Sequence, residues 1–163
     1  MNERIALYPG SFDPPTLGHR DLSHRARDIF DYVIVGVAEN TRKQQWFTLE
    51  ERVTMMREMT AEFSGVEVTS FRTLTVEFAR ERGAIAVIRG MRVISDFEYE
   101  MSMAINNQKL NPDLETVCLL PSEQFLFLSS HLVKEVARFG GPLDHFVTPS
   151  VAAALRARAQ APR

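Results

Sequence analysis

Residues 8–19 read YPGSFDPPTLGH, and within that stretch Ser11 and His19 are the side chains equipped for chemistry. Pro14 and Pro15 lack N–H donors and disfavour helical geometry in the residue before each, so a strand must end here. Thr16 is a natural N-cap, which makes Leu17, Gly18 and His19 the first three residues of a helix. A first helical turn offers unpaired N–H groups and a positive dipole end, and both attract phosphate. An imidazole N–H adds a directional donor at that end. The dipole lowers a histidine's pKa and a bound polyphosphate raises it, but either protonation state can donate one hydrogen bond. Gly18 costs helix stability, and its small size suits close approach of a ligand to the backbone.

Three further segments carry groups of matching chemistry. In IRGMR, Arg89 and Arg92 flank Gly90 and Met91, and paired guanidinium N–H donors suit phosphate oxygens. ENTRKQQWF holds Arg42 and Lys43. PSEQFLFLSSHLVKEV places Ser129 and Ser130 at a helix start, preceded by the apolar run Phe125, Leu126, Phe127 and Leu128, which suits a nucleotide base. Each feature also has a plain structural reading: a capping histidine, arginines in a solvated turn, a solvated loop lysine, a serine-capped helix. What favours one polyphosphate site is that the four segments should meet.

The elements that would bring them together follow from apolar patterning. RIALY, YVIVGVA, VEVTSF, AIAVIR and TVCLL read as five strands, several of them almost continuously apolar, as parallel strands covered on both faces are. Between them lie helical patterns. Leu22, Ala26, Ile29 and Phe30 make a buried stripe after His19; Leu49, Val53, Met56 and Phe63 make another. Thr48 with Glu51, and Ser95 with Glu98, have capping-box spacing. A helix is expected from Ser130 to Phe139 with Gly140 ending it. Alternation of this kind predicts an α/β fold, a doubly wound parallel sheet of five strands with helices on both faces. Ligands of such sheets bind beyond the C-terminal strand ends, where all four segments lie.

Composition bounds the rest. A chain of 163 residues fits one domain over 1–163, ending in an Ala/Arg-rich helical tail from about 152 that frays. The net charge of −2 argues against a nucleic-acid partner. No apolar run is long enough to span a membrane, so no membrane partner is expected. The single cysteine, Cys118, can form no internal disulfide and points to a cytoplasmic setting; its run VCLL predicts a buried structural thiol.

TLGH at 16–19 is similar to the signature of the nucleotidylyltransferase superfamily, whose members bind ATP or CTP over a Rossmann-like sheet. Taken together, YPGSFDPPTLGH, FTLEERV, IRGMR, DFEYEM and SSHLVKEV resemble, in order and spacing, the bacterial phosphopantetheine adenylyltransferase family across about residues 4–147. TLGH marks only the superfamily, whereas IRGMR followed by DFEYE is much narrower.

The resemblance implies adenylyl transfer from ATP to 4′-phosphopantetheine, giving dephospho-coenzyme A and pyrophosphate, the penultimate step of coenzyme A synthesis. It implies that His19 stabilises charge on the transferring α-phosphoryl group. Ser11 would position the attacking phosphate, and Lys43, Thr75 and Arg89 would contact the pantetheine substrate. ATP would meet Ser11, Phe12, His19, Gly90, Met91, Arg92, Glu100 and the segment Phe125 to His131. Ser11, His19, Lys43 and Arg92 would carry catalysis. Two positions depart from the family pattern: Ser11 replaces a commoner threonine but keeps the hydroxyl, and His131 stands where serine or threonine is usual. Magnesium would arrive on the triphosphate, with no carboxylate cage of the protein's own. A homohexamer, a dimer of trimers, is also implied, with Trp46 or Phe146 as candidate contacts.

The chemistry suits these residues. A phosphate monoester is anionic at neutral pH and needs no strong base, so alignment and charge neutralisation remain. Rival readings are nucleotidyl transfer to nicotinate mononucleotide or glycerol phosphate, a non-catalytic nucleotide sensor, and a structural α/β module.

Overall fold

The five apolar runs pair into one sheet whose strands are all parallel. The computed structural model describes residues 3–39, 44–92 and 94–160. Along the chain come β1 (Ile5–Gly10), α1 (Leu17–Arg27), β2 (Tyr32–Ala38), α2 (Leu49–Thr60), β3 (Val66–Phe71) and α3 (Thr75–Glu81). They are followed by β4 (Ala86–Gly90), α4 (Ile94–Leu110), β5 (Glu115–Leu119), α5 (Ser130–Arg138) and α6 (Pro149–Gln160).

The strand order is β3-β2-β1-β4-β5, so the winding reverses between β1 and β4. β1 and β2 stay in register from Ile5 opposite Tyr32 to Gly10 opposite Val37. β1 and β4 pair only at Ala6–Ala86 and Leu7–Val87, then part. A parallel sheet opens a crevice at such a reversal. The parting also explains why β1 continues through Pro9 and Gly10, two residues past the end that the sequence suggests. The Pro9 carbonyl is turned toward Arg89 on β4, so its imide nitrogen faces that same side. Ladder pairing with β4 has already ended there, and the missing N–H costs no bond.

Helices cover both faces. On one, Tyr8, Val33, Val35 and Ile88 pack with Leu22 and Ala26 of α1, Met56 of α2, Val133 of α5 and Leu155 of α6. On the other, Leu7, Ile34 and Val87 pack with Val76, Phe78 and Ala79 of α3. α6 therefore belongs to the core: the helix expected from about 152 runs over Pro149–Gln160 with Val151, Ala152 and Leu155 buried, and the last residues, where fraying was expected, lie outside the described ones.

Other expectations need correcting. α4 begins at Ile94, so Ser95 lies inside the helix; its start is closed by the Asp96 carboxylate, which accepts the Arg92 N–H at 3.1 Å. α1 ends at Arg27 and leaves Ile29 exposed, and α2 ends at Thr60, before Phe63. Phe139 is the C-cap of α5, and Gly140 follows it at φ 70°, the left-handed position that favours glycine. Cys118 is exposed, because β5 is an edge strand with a neighbour on one side only. Trp46 and Phe146 pack against the core, while the exposed large apolar side chains include Phe97, Tyr99 and Ile105 of α4.

Candidate active site

The β1/β4 crevice holds a cavity of about 290 Å³. Of the residues singled out from sequence, it is lined by Phe12, His19, Arg89, Gly90, Arg92, Glu100, Phe125, Leu128, Ser129 and Ser130. Gly18 and Thr16 also line it, and sequence reasoning had not placed Tyr8, Leu22 or Pro121 there. A Cβ on Gly18 would come no closer than 3.5 Å to another residue's side chain, so protein packing does not demand glycine; the missing side chain leaves volume to the cavity.

His19 is fixed by its own helix. Thr16 caps α1, and the His19 side chain closes a capping box in the reverse sense: Nδ1 accepts the Thr16 backbone N–H at 2.9 Å. A backbone N–H can only donate, so Nδ1 carries no proton. The neutral ring is then the Nε2–H tautomer, which leaves Nε2 as a donor. Phe12 meets the ring edge-on at a centroid distance of 5.0 Å and is itself packed against Tyr8 at 5.4 Å. Burial, with the Arg92 charge second, pushes the His19 pKa down to about 4. The side chain is therefore neutral at physiological pH.

The helix start is less open than its position suggests. Leu17 N–H donates to the Phe146 carbonyl and His19 N–H to the Thr16 hydroxyl. Among the described residues only the Gly18 N–H of that first turn has no protein partner. At α5, Ser129 is the N-cap and accepts from Leu132 N–H, and the Ser130 hydroxyl donates to the Pro14 carbonyl. The Ser130 hydroxyl has only lone pairs left, so the donors that this helix start can offer an anion are the backbone N–H groups of Ser130 and His131.

The arginines are not bare cations. Arg89 holds Glu100 through Nε at 2.5 Å and a second nitrogen at 2.8 Å. Burial pulls its pKa down, but the Glu100 carboxylate outweighs this and the net shift is upward. Arg92 contacts Asp96 and donates to the Leu128 carbonyl at 2.9 Å. Asp96 and Glu100 lie four residues apart on α4, on one helical face. This spacing gives DFEYE a physical role: it supplies the counter-charges for IRGMR.

The β1–α1 loop is held by buried polar groups that sequence reasoning overlooked. Phe12 sits at φ 48°, a left-handed conformation that costs a non-glycine residue about 1–3 kcal/mol. Asp13 accepts from Trp46 N–H and Phe47 N–H and pairs with Lys134 Nζ at 2.9 Å. Asp21 accepts from Ser122 N–H at 2.9 Å and its hydroxyl at 2.7 Å, tying the Phe125 wall to α1.

The remaining predicted residues lie elsewhere. Ser11 sits at the loop's start, half-buried, with its carbonyl accepting from Arg52. Met91, Leu126, Phe127 and His131 are outside the cavity lining, Phe127 being 82% exposed. Thr75 begins α3, after β3 in the chain, and is not part of the cavity lining. Lys43 lies outside the described residues. Among the described residues no three His, Cys, Asp or Glu side chains gather as a metal site, and no helix is long and apolar enough to cross a membrane.

The chain is similar to known proteins. The chain matches the Cytidylyltransferase-like family over residues 7–136. It is 52% identical over 154 residues to a phosphopantetheine adenylyltransferase of Opitutus terrae, covering 94% of this chain and 96% of that one. It is 47% identical over 163 residues to a phosphopantetheine adenylyltransferase of an Azoarcus species, covering 100% of both. Its fold is similar to a solved Vibrio parahaemolyticus protein described as a candidate nicotinate-nucleotide adenylyltransferase, with TM-score 0.71, 15% identity and 98% of each chain covered. At that identity the likeness is one of fold.

Proposed function

The chain belongs to the phosphopantetheine adenylyltransferases within the cytidylyltransferase-like family, and from that premise we propose a specific division of labour in the β1/β4 crevice. The reaction joins ATP to 4′-phosphopantetheine and releases dephospho-coenzyme A and pyrophosphate. An oxygen of the acceptor phosphate attacks the α-phosphorus, the bond from that phosphorus to the bridging oxygen breaks, and the electron pair leaves with pyrophosphate. The acceptor is already anionic, so the protein has to align the reactants and stabilise equatorial charge.

His19 does the second task as a neutral donor. Its Nε2–H, with Gly18 N–H beside it, meets the α-phosphoryl oxygens where charge develops. The observation that carries this role is the Thr16–His19 capping box, which leaves Nε2 as the ring's only N–H. Arg92 and the N-terminal N–H groups of α5 hold the remaining phosphates, and Phe125 to Leu128 shelter the base. Met91 and Glu100 complete the ATP side, the latter with Arg89 as its partner. Ser11, Lys43, Arg89 and Thr75 receive the acceptor. Magnesium enters as Mg·ATP, held by the triphosphate. The reading sets the enzyme in the cytoplasm, where both substrates are at hand.

The apolar α4 surface supports assembly into a homohexamer. Phe97 and Tyr99 are 50% and 61% exposed, and Leu120 beyond β5 is 58% exposed, side chains that copies of the chain can bury against one another. Sedimentation velocity at micromolar protein tests this; a monomer throughout would contradict it.

The test of function incubates the protein with Mg·ATP and, separately, 4′-phosphopantetheine, nicotinate mononucleotide or glycerol phosphate, measuring pyrophosphate and product mass. Product with the first acceptor alone is expected. Turnover of another acceptor in its place would move the assignment within the superfamily, and nucleotide binding without turnover would favour a sensor.

A further inference from the structure

Arg52 on α2 is wholly buried, at 0% exposure, and is the largest fully buried side chain among the described residues. Buried guanidinium groups are ordinarily matched by a carboxylate. Here the hydrogen-bond partners among the described residues are three neutral oxygens: the Ser11 carbonyl at 2.5 Å, the Ala38 carbonyl at 3.0 Å and Gln45 Oε1 at 3.1 Å. Its Nε has no partner among the described residues. Among the described residues Asp13, Glu39 and Glu50 act on it through space without a hydrogen bond, the Asp13 oxygens being occupied by Trp46 N–H, Phe47 N–H and Lys134.

Of the three anchors, Ser11 follows β1 and is itself read above as receiving the acceptor, Gln45 comes two residues after Lys43, read likewise, and Ala38 ends β2. The gripped Ser11 carbonyl belongs to the peptide that leads into Phe12, the residue held at φ 48°. A strained residue keeps its geometry only if its surroundings over-determine it. The donor side depends on other groups: Thr16 orients His19, Leu128 and Asp96 orient Arg92, and Ser129 caps α5.

We propose that Arg52 is a positioning residue for the acceptor: it sets Ser11 and the adjoining loops, and it places a fixed positive charge behind the site of the acceptor phosphate. A buried charge without a paired carboxylate is stabilised when an anion binds nearby, so acceptor binding and the Arg52 charge support each other. This inference rests on the adenylyl-transfer reading.

The test compares Arg52→Lys and Arg52→Met with wild type in three measurements: kcat and KM for 4′-phosphopantetheine, KM for ATP, and ATP affinity by calorimetry without acceptor. Arg52→Lys keeps the charge and loses the fork, so kcat/KM for the acceptor falls about 10²-fold, the cost of misplacing a reacting group by about 1 Å. ATP affinity falls much less, within about threefold, because of the expected ATP contacts only Ser11 and Phe12 lie in the loop that Arg52 grips. Arg52→Met also raises the acceptor KM, and lysine recovers that part. Equal losses on both substrates would mean a general structural role, and unchanged kinetics in either variant would remove the role; both results overturn the proposal. If Arg52→Met does not fold, the acceptor-to-ATP split in Arg52→Lys decides. A wild type that makes no dephospho-coenzyme A would instead fail the functional reading, and the inference with it.

Discussion

His19 Nδ1 accepts the backbone N–H of Thr16 at 2.9 Å, so the residue that caps α1 also sets the tautomer of the ring facing the crevice. One contact thus links local helix chemistry to the role proposed for His19. It makes His19 a donor through Nε2 and a poor base, since the other nitrogen is occupied and protonation is opposed by burial.

His19→Ala removes that donor without touching the phosphate contacts proposed for α5 and Arg92. Turnover should fall by about 10²-fold or more, as when an oxyanion donor is lost, with ATP affinity changed much less. Steady-state kinetics paired with calorimetry separates the two. Equal losses in both would assign His19 to ground-state binding.

Acid should weaken folding through the same residue. The His19 pKa falls from 6.5 in the unfolded chain to about 4 in the folded one, so the unfolded state binds the proton first. Its contribution is fully present above pH 6.5 and is lost as pH falls toward about 4. Urea unfolding across that window should show a shallower pH dependence for His19→Ala than for wild type. Parallel curves would mean that His19 titrates normally.

Glu100→Gln strips the Arg89 guanidinium of its charged partner while keeping shape. Arg89 keeps partial access to solvent, with 27% of its side chain exposed, so the loss of stability should be about 1–3 kcal/mol, below that of a fully buried pair. The freed guanidinium should also make thermal stabilisation by inorganic phosphate larger than in wild type. A smaller or absent phosphate effect would show that Glu100 does not compete for Arg89.

Asp13→Ala leaves two backbone N–H groups and the Lys134 ammonium without their acceptor in a buried loop. A destabilisation of about 3–5 kcal/mol is expected in urea unfolding. A change under about 1 kcal/mol would show that the Asp13 network is dispensable.

Much of this was legible in the sequence, and the exceptions share a cause. The strands announce themselves as near-continuous apolar runs, and Thr16 at the N-cap puts His19 third in its helix, where it is found. What stayed hidden were partnerships across distant segments. Arg89 and Arg92 read as bare cations until α4 places Glu100 and Asp96 against them. Arg52 stands four residues before Met56 on the buried face of α2, a charged intruder in an apolar stripe, and that signal was there to be read. Cys118 sits in an apolar run on an edge strand, and a run cannot reveal which of its strand's sides is covered.

The most direct measurement uses ATP radiolabelled at the α-phosphate or, separately, at the γ-phosphate, with 4′-phosphopantetheine and wild-type protein. Adenylyl transfer predicts α-label in dephospho-coenzyme A and γ-label only in pyrophosphate. Label from the γ-position in the pantetheine product, or none from the α-position, would contradict it.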